Sequence, residues 1–195
     1  MEPIILASTS PRRQDILRSL NIPFTVMNPP YVETVIEGMS PPEYAEFNAI
    51  KKLESVMRME LKITIKWILA ADTIISFNGK ICGKPKDRDE AGQMLRMYSG
   101  ATHEVITALC FYSSDTHYTS TRISTNKVSF MELEDSQIEN YLDTGEWQGV
   151  AGAYRVQGLA SCFISKIEGS YTGIVGLPIH DFYAILREQS YPFII

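Results

Sequence analysis

The chain has 195 residues, of which 45% are hydrophobic and 21% charged, and its formal net charge is −5. This composition predicts a single globular domain, residues 1–195, with one sizeable core. The negative charge gives no general electrostatic reason to bind a nucleic-acid polymer or an anionic membrane, and no stretch reaches the ~18 apolar residues of a membrane span. The three cysteines are far apart, so we expect no disulfide framework and a cytoplasmic location.

The first element predicts an anion site. Ile4–Ala7 is an apolar run typical of a short buried strand, and Ser10-Pro11 is an N-cap followed by proline at the first helical position, so a helix is expected to about Leu20. Arg12 and Arg13 lie in the first turn, where each cation opposes the helix macrodipole by ~0.3–1 kcal/mol. With a phosphate bound there, the two arginines would stabilise the helix start instead of destabilising it. The alternative is two solvated arginines on a surface helix.

The next stretch contains a loop acid and a helix with lysines. Pro23–Met27 is a strand candidate, and the irregular segment after it contains Glu33, which composition alone explains as a solvated acid. Ser40 begins a capping box that opens a helix to about Leu61. Lys52 lies on this helix, where a solvated face is the simplest interpretation.

A strand with an acid in its middle is the second informative stretch. Trp67–Phe77 lacks polar alternation, which predicts a strand buried on both faces in the middle of a parallel or mixed sheet. Asp72 interrupts this apolar run. An ionised carboxylate there is costly unless it is paired, protonated or bound to a metal, so Asp72 is the leading candidate for chemistry. The alternative is a strand that ends at Ala71, with Asp72 in a turn.

The rest of the chain predicts an alternation of strands and helices. Asn78-Gly79 indicates a hairpin turn, and Gly83-Lys84-Pro85 then presents a lysine able to bind phosphate as a point charge, although the spacing is not that of a P-loop. The later predictions are a helix ending at Ser99-Gly100, a long hairpin of strands 102–112 and 118–131, a helix near 137–142, a glycine-rich loop 149–158, a strand 159–167, a loop 168–171 and a helix near 180–188.

Seven short stretches together resemble one protein family. They are Leu6–Arg13, Ala71–Thr73, Gly83–Pro85, Ser99–His103, Ala151–Gly158, Glu168–Tyr171 and Val175–Pro178, in the family's order and spacing over nearly the whole chain. The family is the Maf nucleoside triphosphate pyrophosphatases, also called septum-formation inhibitors. Any one of these motifs is weakly specific, whereas the set is highly specific.

The resemblance implies an α/β fold in which a mixed, elongated central β-sheet is flanked by helices, with an active-site cleft between two lobes, and it implies a homodimer. It also implies that water attacks the α-phosphate of dTTP or UTP, giving the nucleoside monophosphate and pyrophosphate, with a divalent cation (Mg²⁺ or Mn²⁺) as cofactor. Such chemistry depends on positioning and charge neutralisation, so several cations around one carboxylate are expected.

Residue roles follow from the same resemblance, position by position. Asp72 matches the general base, and Glu33 with Asp72 would hold the metal. The positions that match triphosphate ligands are Ser8, Ser10, Arg13, Lys52 and Lys84. The positions that match substrate-specificity residues are Arg12, Thr73 and Gln157, which resemble the dTTP/UTP branch. The Gln157 amide offers both a donor and an acceptor, as the edge of thymine or uracil requires, whereas a glutamate only accepts and suits guanine.

One departure from the family pattern leaves alternatives open. The family usually has a lysine where this chain has Val150, so a cation is either missing from the site or supplied by Arg155 or another segment. The alternative functions are a pyrophosphatase of the same family for 7-methyl-GTP or modified nucleotides, and an inactive nucleotide-binding regulator of cell division.

Overall fold

The structure is a computed structural model and describes residues 1–34, 36, 38–59 and 66–193. Its elements are β1 (Ile4–Ala7), α1 (Pro11–Ser19), β2 (Phe24–Val26), α2 (Pro41–Met57), β3 (Trp67–Phe77), β4 (Lys80–Cys82), α3 (Arg88–Tyr98), β5 (Thr102–Ser113), β6 (Tyr118–Phe130), α4 (Asp135–Asp143), β7 (Ile164–Glu168), α5 (Tyr171–Val175) and α6 (Ile179–Glu188). None of the described helices combines the length and apolar character that a membrane crossing requires.

The strands form one seven-stranded mixed sheet in the order β2-β1-β3-β5-β6-β7, with β4 paired to β3. β1 is parallel to β2 and β3, while β5, β6 and β7 continue the sheet in antiparallel fashion. Helices cover its faces, so the predicted mixed α/β sheet is confirmed. β3 lies in the middle and continues through Asp72, which rules out a strand that ends at Ala71.

The sheet opens beside the middle of β3. β1 ends at Ala7, which pairs with Ala70, and β4 begins its pairing with β3 only at Ile75. Between these points, one edge of β3 has no neighbouring strand among the described residues, while the other edge pairs with β5. Asp72 and Thr73 therefore lie at an opening beyond the carboxyl end of β1, the kind of place where open α/β sheets bind ligands.

Helices on both faces divide the hydrophobic core. One cluster lies between the sheet and α2, and a second lies between the opposite face and helices α1 and α6. Because side chains alternate along a strand, Ala70, Asp72 and Ile74 face α2, whereas Ala71 and Thr73 face α1. A third cluster, around α3 and α4, fills the other end of the sheet.

Three predicted boundaries differ from the structure. The strand predicted over 159–167 begins only at Ile164, because residues 159–163 form a 3₁₀ turn. In this turn the Leu159 N–H donates to the Glu146 carboxylate and the Ser161 N–H to the Gly158 carbonyl, so neither pairs with a neighbouring strand. The predicted loop 168–171 runs into α5, which the Ser170 hydroxyl caps. α2 ends at Met57, and the predicted end near residue 61 lies outside the described residues.

A buried histidine sits in the third cluster. His103 is 1% exposed, its ring centroid is 4.3 Å from that of Tyr98, and its Nε2 is 2.7 Å from the Tyr154 hydroxyl. Its Nδ1 has no hydrogen-bond partner among the described residues. Burial lowers the pKa of His103 to about 4, so the folded protein holds a neutral ring where the unfolded chain takes up a proton below pH 6.5.

We expect His103 to make folding stability depend on pH. Between pH 6.5 and about 4 the unfolded state binds more protons, so stability falls as the pH is lowered through this window and is unaffected by this group above it. Across this window His103 lowers the free energy of unfolding by about 3 kcal/mol. Urea unfolding of wild type and His103→Gln at several pH values measures the difference, and equal slopes in the two proteins would contradict a buried neutral histidine.

Candidate active site

A lysine between two carboxylates occupies the opening in the sheet. Lys52, on α2, places its Nζ 2.5 Å from Asp72 Oδ1 and 2.6 Å from Glu33 Oε1. The Asp72 side chain is 5% exposed and that of Lys52 15%, whereas the Glu33 side chain is 49% exposed. The Asp72–Lys52 pair is therefore shielded from water, while Glu33 extends it to the surface. A carboxylate inside an apolar strand is costly unless it is paired, protonated or bound to a metal, and Asp72 is paired.

A second buried polar group contacts the other oxygen of Asp72. Asn48 is fully buried on α2, one turn before Lys52, and its Nδ2 is 3.5 Å from Asp72 Oδ2. The Tyr31 hydroxyl donates to Asn48 Oδ1 at 2.8 Å. Sequence reasoning missed both residues. The signal available was an asparagine four residues before Lys52, which places both side chains on one helix face.

Arg13 is buried beneath the opening rather than solvated on the helix surface. Its Nε donates to the Gly176 carbonyl at 2.8 Å, one Nη to Ser8 Oγ at 2.8 Å and the other to Thr73 Oγ1 at 2.9 Å. Burial lowers its pKa to about 10, opposed by the negative charge of Asp72, so the guanidinium stays protonated at neutral pH. The side chain thus joins the end of β1 to β3 and to the end of α5.

Thr73 continues a directed chain of hydrogen bonds. Its hydroxyl accepts from Arg13 and lies 2.8 Å from the Thr107 hydroxyl, which donates to the Gly173 carbonyl at 2.8 Å. Because the Thr107 proton is committed to that carbonyl, Thr73 is the donor in the threonine pair. Thr73 therefore faces Arg13 on the side of β3 opposite Asp72.

The start of α1 offers polar groups next to Arg13. Ser8 is 6% exposed, and its Oγ accepts from both the Ser10 N–H and Arg13. Within the described residues, the Ser8 O–H finds no acceptor, which leaves a donor beside the guanidinium. Arg12 is half-buried; burial first and the charge of Arg155 second lower its pKa.

The glycine-rich loop is anchored by its backbone. The Gly152 N–H donates to the Gly83 carbonyl at 2.9 Å, and a Cβ on Gly152 would stand 2.3 Å from Ile75 Cδ1 at a φ of +69°, so glycine is required there. A turn closed by the Gly158 N–H and the Arg155 carbonyl then presents Gln157, which is exposed. Val150, in place of the family's lysine, is buried.

The predicted site residues thus fall into three groups. Ser8, Ser10, Arg13 and Thr73 form one hydrogen-bonded network, and Lys52, Asp72 and Glu33 form another. The negative charges of Asp72 and Glu33 both act on Arg13, so the two networks are close together. The third group, Arg12, Lys84 and Gln157, makes no hydrogen bond or ion pair to either network in the described part of the chain, and both Lys84 and Gln157 are exposed on loops.

The acids present fit a magnesium-like cation only together with a substrate. Within the described residues, no group of three or more acidic, histidine or cysteine side chains could hold a metal ion. Glu33 and Asp72 share one ammonium partner and so stand close enough to act on one ion. Mg²⁺ commonly uses one or two carboxylates and completes its shell with phosphates and water, which this pair allows.

Comparisons with known proteins identify relatives along nearly the whole chain. The family model described as "Maf-like protein" matches residues 3–189. A protein of Treponema denticola named dTTP/UTP pyrophosphatase is 42% identical over 98% of both chains, and one of Pyrococcus furiosus with the same name is 44% identical over 92% of this chain and 91% of its own. Among solved structures, the Staphylococcus aureus Ham1 protein aligns with 69% of this chain and 73% of its own, with 19% identity and a TM-score of 0.42.

Proposed function

Since the chain belongs to the Maf family, we propose that it is a nucleoside triphosphate pyrophosphatase that hydrolyses dTTP and UTP. The structural observation that supports this function best is the shielded Asp72–Lys52 pair at the opening of the sheet, with Glu33 on one side and Arg13 on the other. Acids that can act on water, close to cations that can neutralise phosphate charge, are the groups expected for attack of water on a phosphate.

In the proposed reaction, Asp72 accepts a proton from the attacking water. The water oxygen bonds to the α-phosphorus, the bond from that phosphorus to the bridging oxygen of the β-phosphate breaks, and pyrophosphate leaves with the electron pair. Lys52 orients the carboxylate, and the Ser8 hydroxyl with Arg13 lies where phosphate oxygens would be bound. Ser10, Lys52 and Lys84 are proposed as further phosphate ligands.

We also propose that Glu33 and Asp72 hold a divalent cation, Mg²⁺ or Mn²⁺. When bound, such an ion would neutralise charge on the phosphates. Lys52 contacts both carboxylates and so keeps the two acids close together without an ion. Metal dependence is tested by assaying with EDTA and by adding back each metal in turn.

The function is tested by measuring pyrophosphate release from a panel of nucleoside triphosphates with Mg²⁺ or Mn²⁺. Selective hydrolysis of dTTP and UTP would support the proposal. Preference for 7-methyl-GTP or a modified nucleotide would move the chain to another branch of its family. Inertness towards every nucleotide would favour the cell-division regulator and would identify Val150 as the informative departure.

Gln157→Glu is expected to change the substrate preference. A carboxylate cannot donate to the acceptor on the edge of uracil, so the ratio of kcat/KM for UTP to that for 7-methyl-GTP should fall at least about tenfold. Arg12 and Thr73 are proposed to act with it. The same change at Gln93, exposed on α3, is the matched control. An unchanged ratio in Gln157→Glu would remove the side chain from base recognition.

Four further expectations belong to this proposal. The single family match from residue 3 to 189 supports one domain over 1–195. A homodimer is tested by light scattering after size-exclusion chromatography, and a cytoplasmic location by fractionating the cells of the source organism. Arg155, whose charge acts on Arg12, is the available replacement for the family's lysine.

A further inference from the structure

We propose that Asn48, supported by Tyr31, is a positioning residue that fixes the orientation of the Asp72 carboxylate. This inference rests on the proposed function, because it concerns the acid that would take the proton from water. Asn48 is fully buried on α2, so it acts through Asp72 and not by contact with the substrate.

Asn48 is a polar residue among apolar neighbours. The residue is fully buried on the face of α2 that packs on the sheet, where its helix neighbours Ala45, Ala49 and Leu53 are also buried. An amide in such surroundings costs free energy unless it is hydrogen-bonded, and an apolar side chain of the same size would fill the space without that cost. Its polar contacts are therefore the reason to look for a role.

The chemistry of the partners determines how the amide points. A carboxylate only accepts, so the Asn48 NH₂ group faces Asp72, and the Asn48 oxygen accepts from the Tyr31 hydroxyl at 2.8 Å. Asp72 thereby sets which way the amide points, and the hydrogen bond from Tyr31 restrains the amide in that orientation. A flipped amide would place its oxygen against the carboxylate, where two acceptors repel each other.

Two contacts then hold the carboxylate from different directions. Lys52 binds Oδ1 at 2.5 Å, while Asn48 lies 3.5 Å from Oδ2. The longer contact is weak by itself, but catalytic hydrogen bonds are often long without substrate and shorten in the complex. With both oxygens contacted, rotation of the carboxylate about its Cβ–Cγ bond is restricted.

Asn48→Leu tests the inference, because leucine has the same number and branching of side-chain heavy atoms as asparagine and suits the apolar neighbours. We expect kcat for UTP to fall 10- to 100-fold at saturating metal while KM changes less than threefold. Tyr31→Phe should lower kcat by less than tenfold. The double variant should equal Asn48→Leu, since Tyr31 acts only through the amide.

Leu53→Ala is the matched control, because it removes apolar packing from the same helix and leaves the hydrogen bonds of Asn48 in place. It should melt at a lower temperature and keep its kcat at an assay temperature where it is folded. The inference is overturned if Asn48→Leu keeps kcat within threefold of wild type, or if the Tyr31→Phe and Asn48→Leu effects multiply. If Asn48→Leu fails to fold, a kcat in Tyr31→Phe equal to wild type overturns it. A wild type that releases no pyrophosphate overturns the proposed function, and this inference with it.

Discussion

Asp72→Asn is expected to lower kcat for UTP hydrolysis at least about 1,000-fold while the protein stays folded and binds UTP within about tenfold of wild type. The amide has the shape of the carboxylate but cannot take a proton from water, and general bases typically contribute 10²- to 10⁴-fold. It also leaves the Lys52 ammonium with Glu33 as its remaining partner. Single-turnover kinetics give the chemical rate, and calorimetry gives the affinity.

The same substitution at an aspartate outside the site distinguishes the loss of a catalytic group from the loss of a negative charge. Asp115 is exposed and pairs with Lys66 at 3.0 Å in the turn between β5 and β6, so Asp115→Asn makes the same chemical change away from the site. That variant should retain wild-type kcat. If Asp72→Asn instead lost binding and thermal stability together, Asp72 would be assigned a structural role, as the partner that keeps Lys52 buried.

Arg13→Met is expected to destabilise the fold by about 3 kcal/mol, which lowers Tm by about 6–12 °C for a chain of this size. Methionine fills much of the same space but donates no hydrogen bond. The Gly176 carbonyl and the Ser8 and Thr73 hydroxyls would each lose a buried donor. Unfolding in urea measures the loss, and activity should fall with it because Ser8 and Thr73 lose their fixed positions.

Arg18→Met supplies the comparison on the same helix. Arg18 is exposed and pairs with Asp15 at 2.6 Å, and surface ion pairs of this kind contribute about 0–1 kcal/mol. Wild-type stability in Arg13→Met would show that the buried guanidinium serves a bound phosphate rather than the fold.

The central strand could be predicted from sequence because its signals are local. A continuous apolar run marks β3 as a buried strand, and the Asn78-Gly79 turn fixes where the chain reverses into β4. Asp72 stood out because an acid inside such a run needs a partner. The strand, the turn and the isolated acid are all visible within about a dozen consecutive residues, so a single sequence is enough to predict them.

The missed features depend on contacts between distant segments. Asn48 is informative only once α2 is packed on β3, and the three acceptors of Arg13 come from β1, β3 and the end of α5. α5 has five residues, too few for a recognisable period, and depends on the Ser170 cap and on packing. The four-residue spacing of Asn48 and Lys52 places both side chains on one face of α2, but no spacing along the chain shows that this face contacts β3 or that the end of α5 contacts Arg13.

Asp72 and Thr73 are consecutive in the chain, yet they face opposite sides of β3, one towards α2 and the other towards Arg13. Substitutions that accumulate on the α1 and α5 side can reshape the neighbourhood of Thr73 while the acid and its lysine on the α2 side stay as they are. The packing around Thr73, which is proposed to act in nucleobase recognition, can therefore change without altering the contacts of Asp72, the proposed general base. Ser8 and Arg13, the proposed phosphate ligands on the Thr73 side, limit which of these changes keep activity.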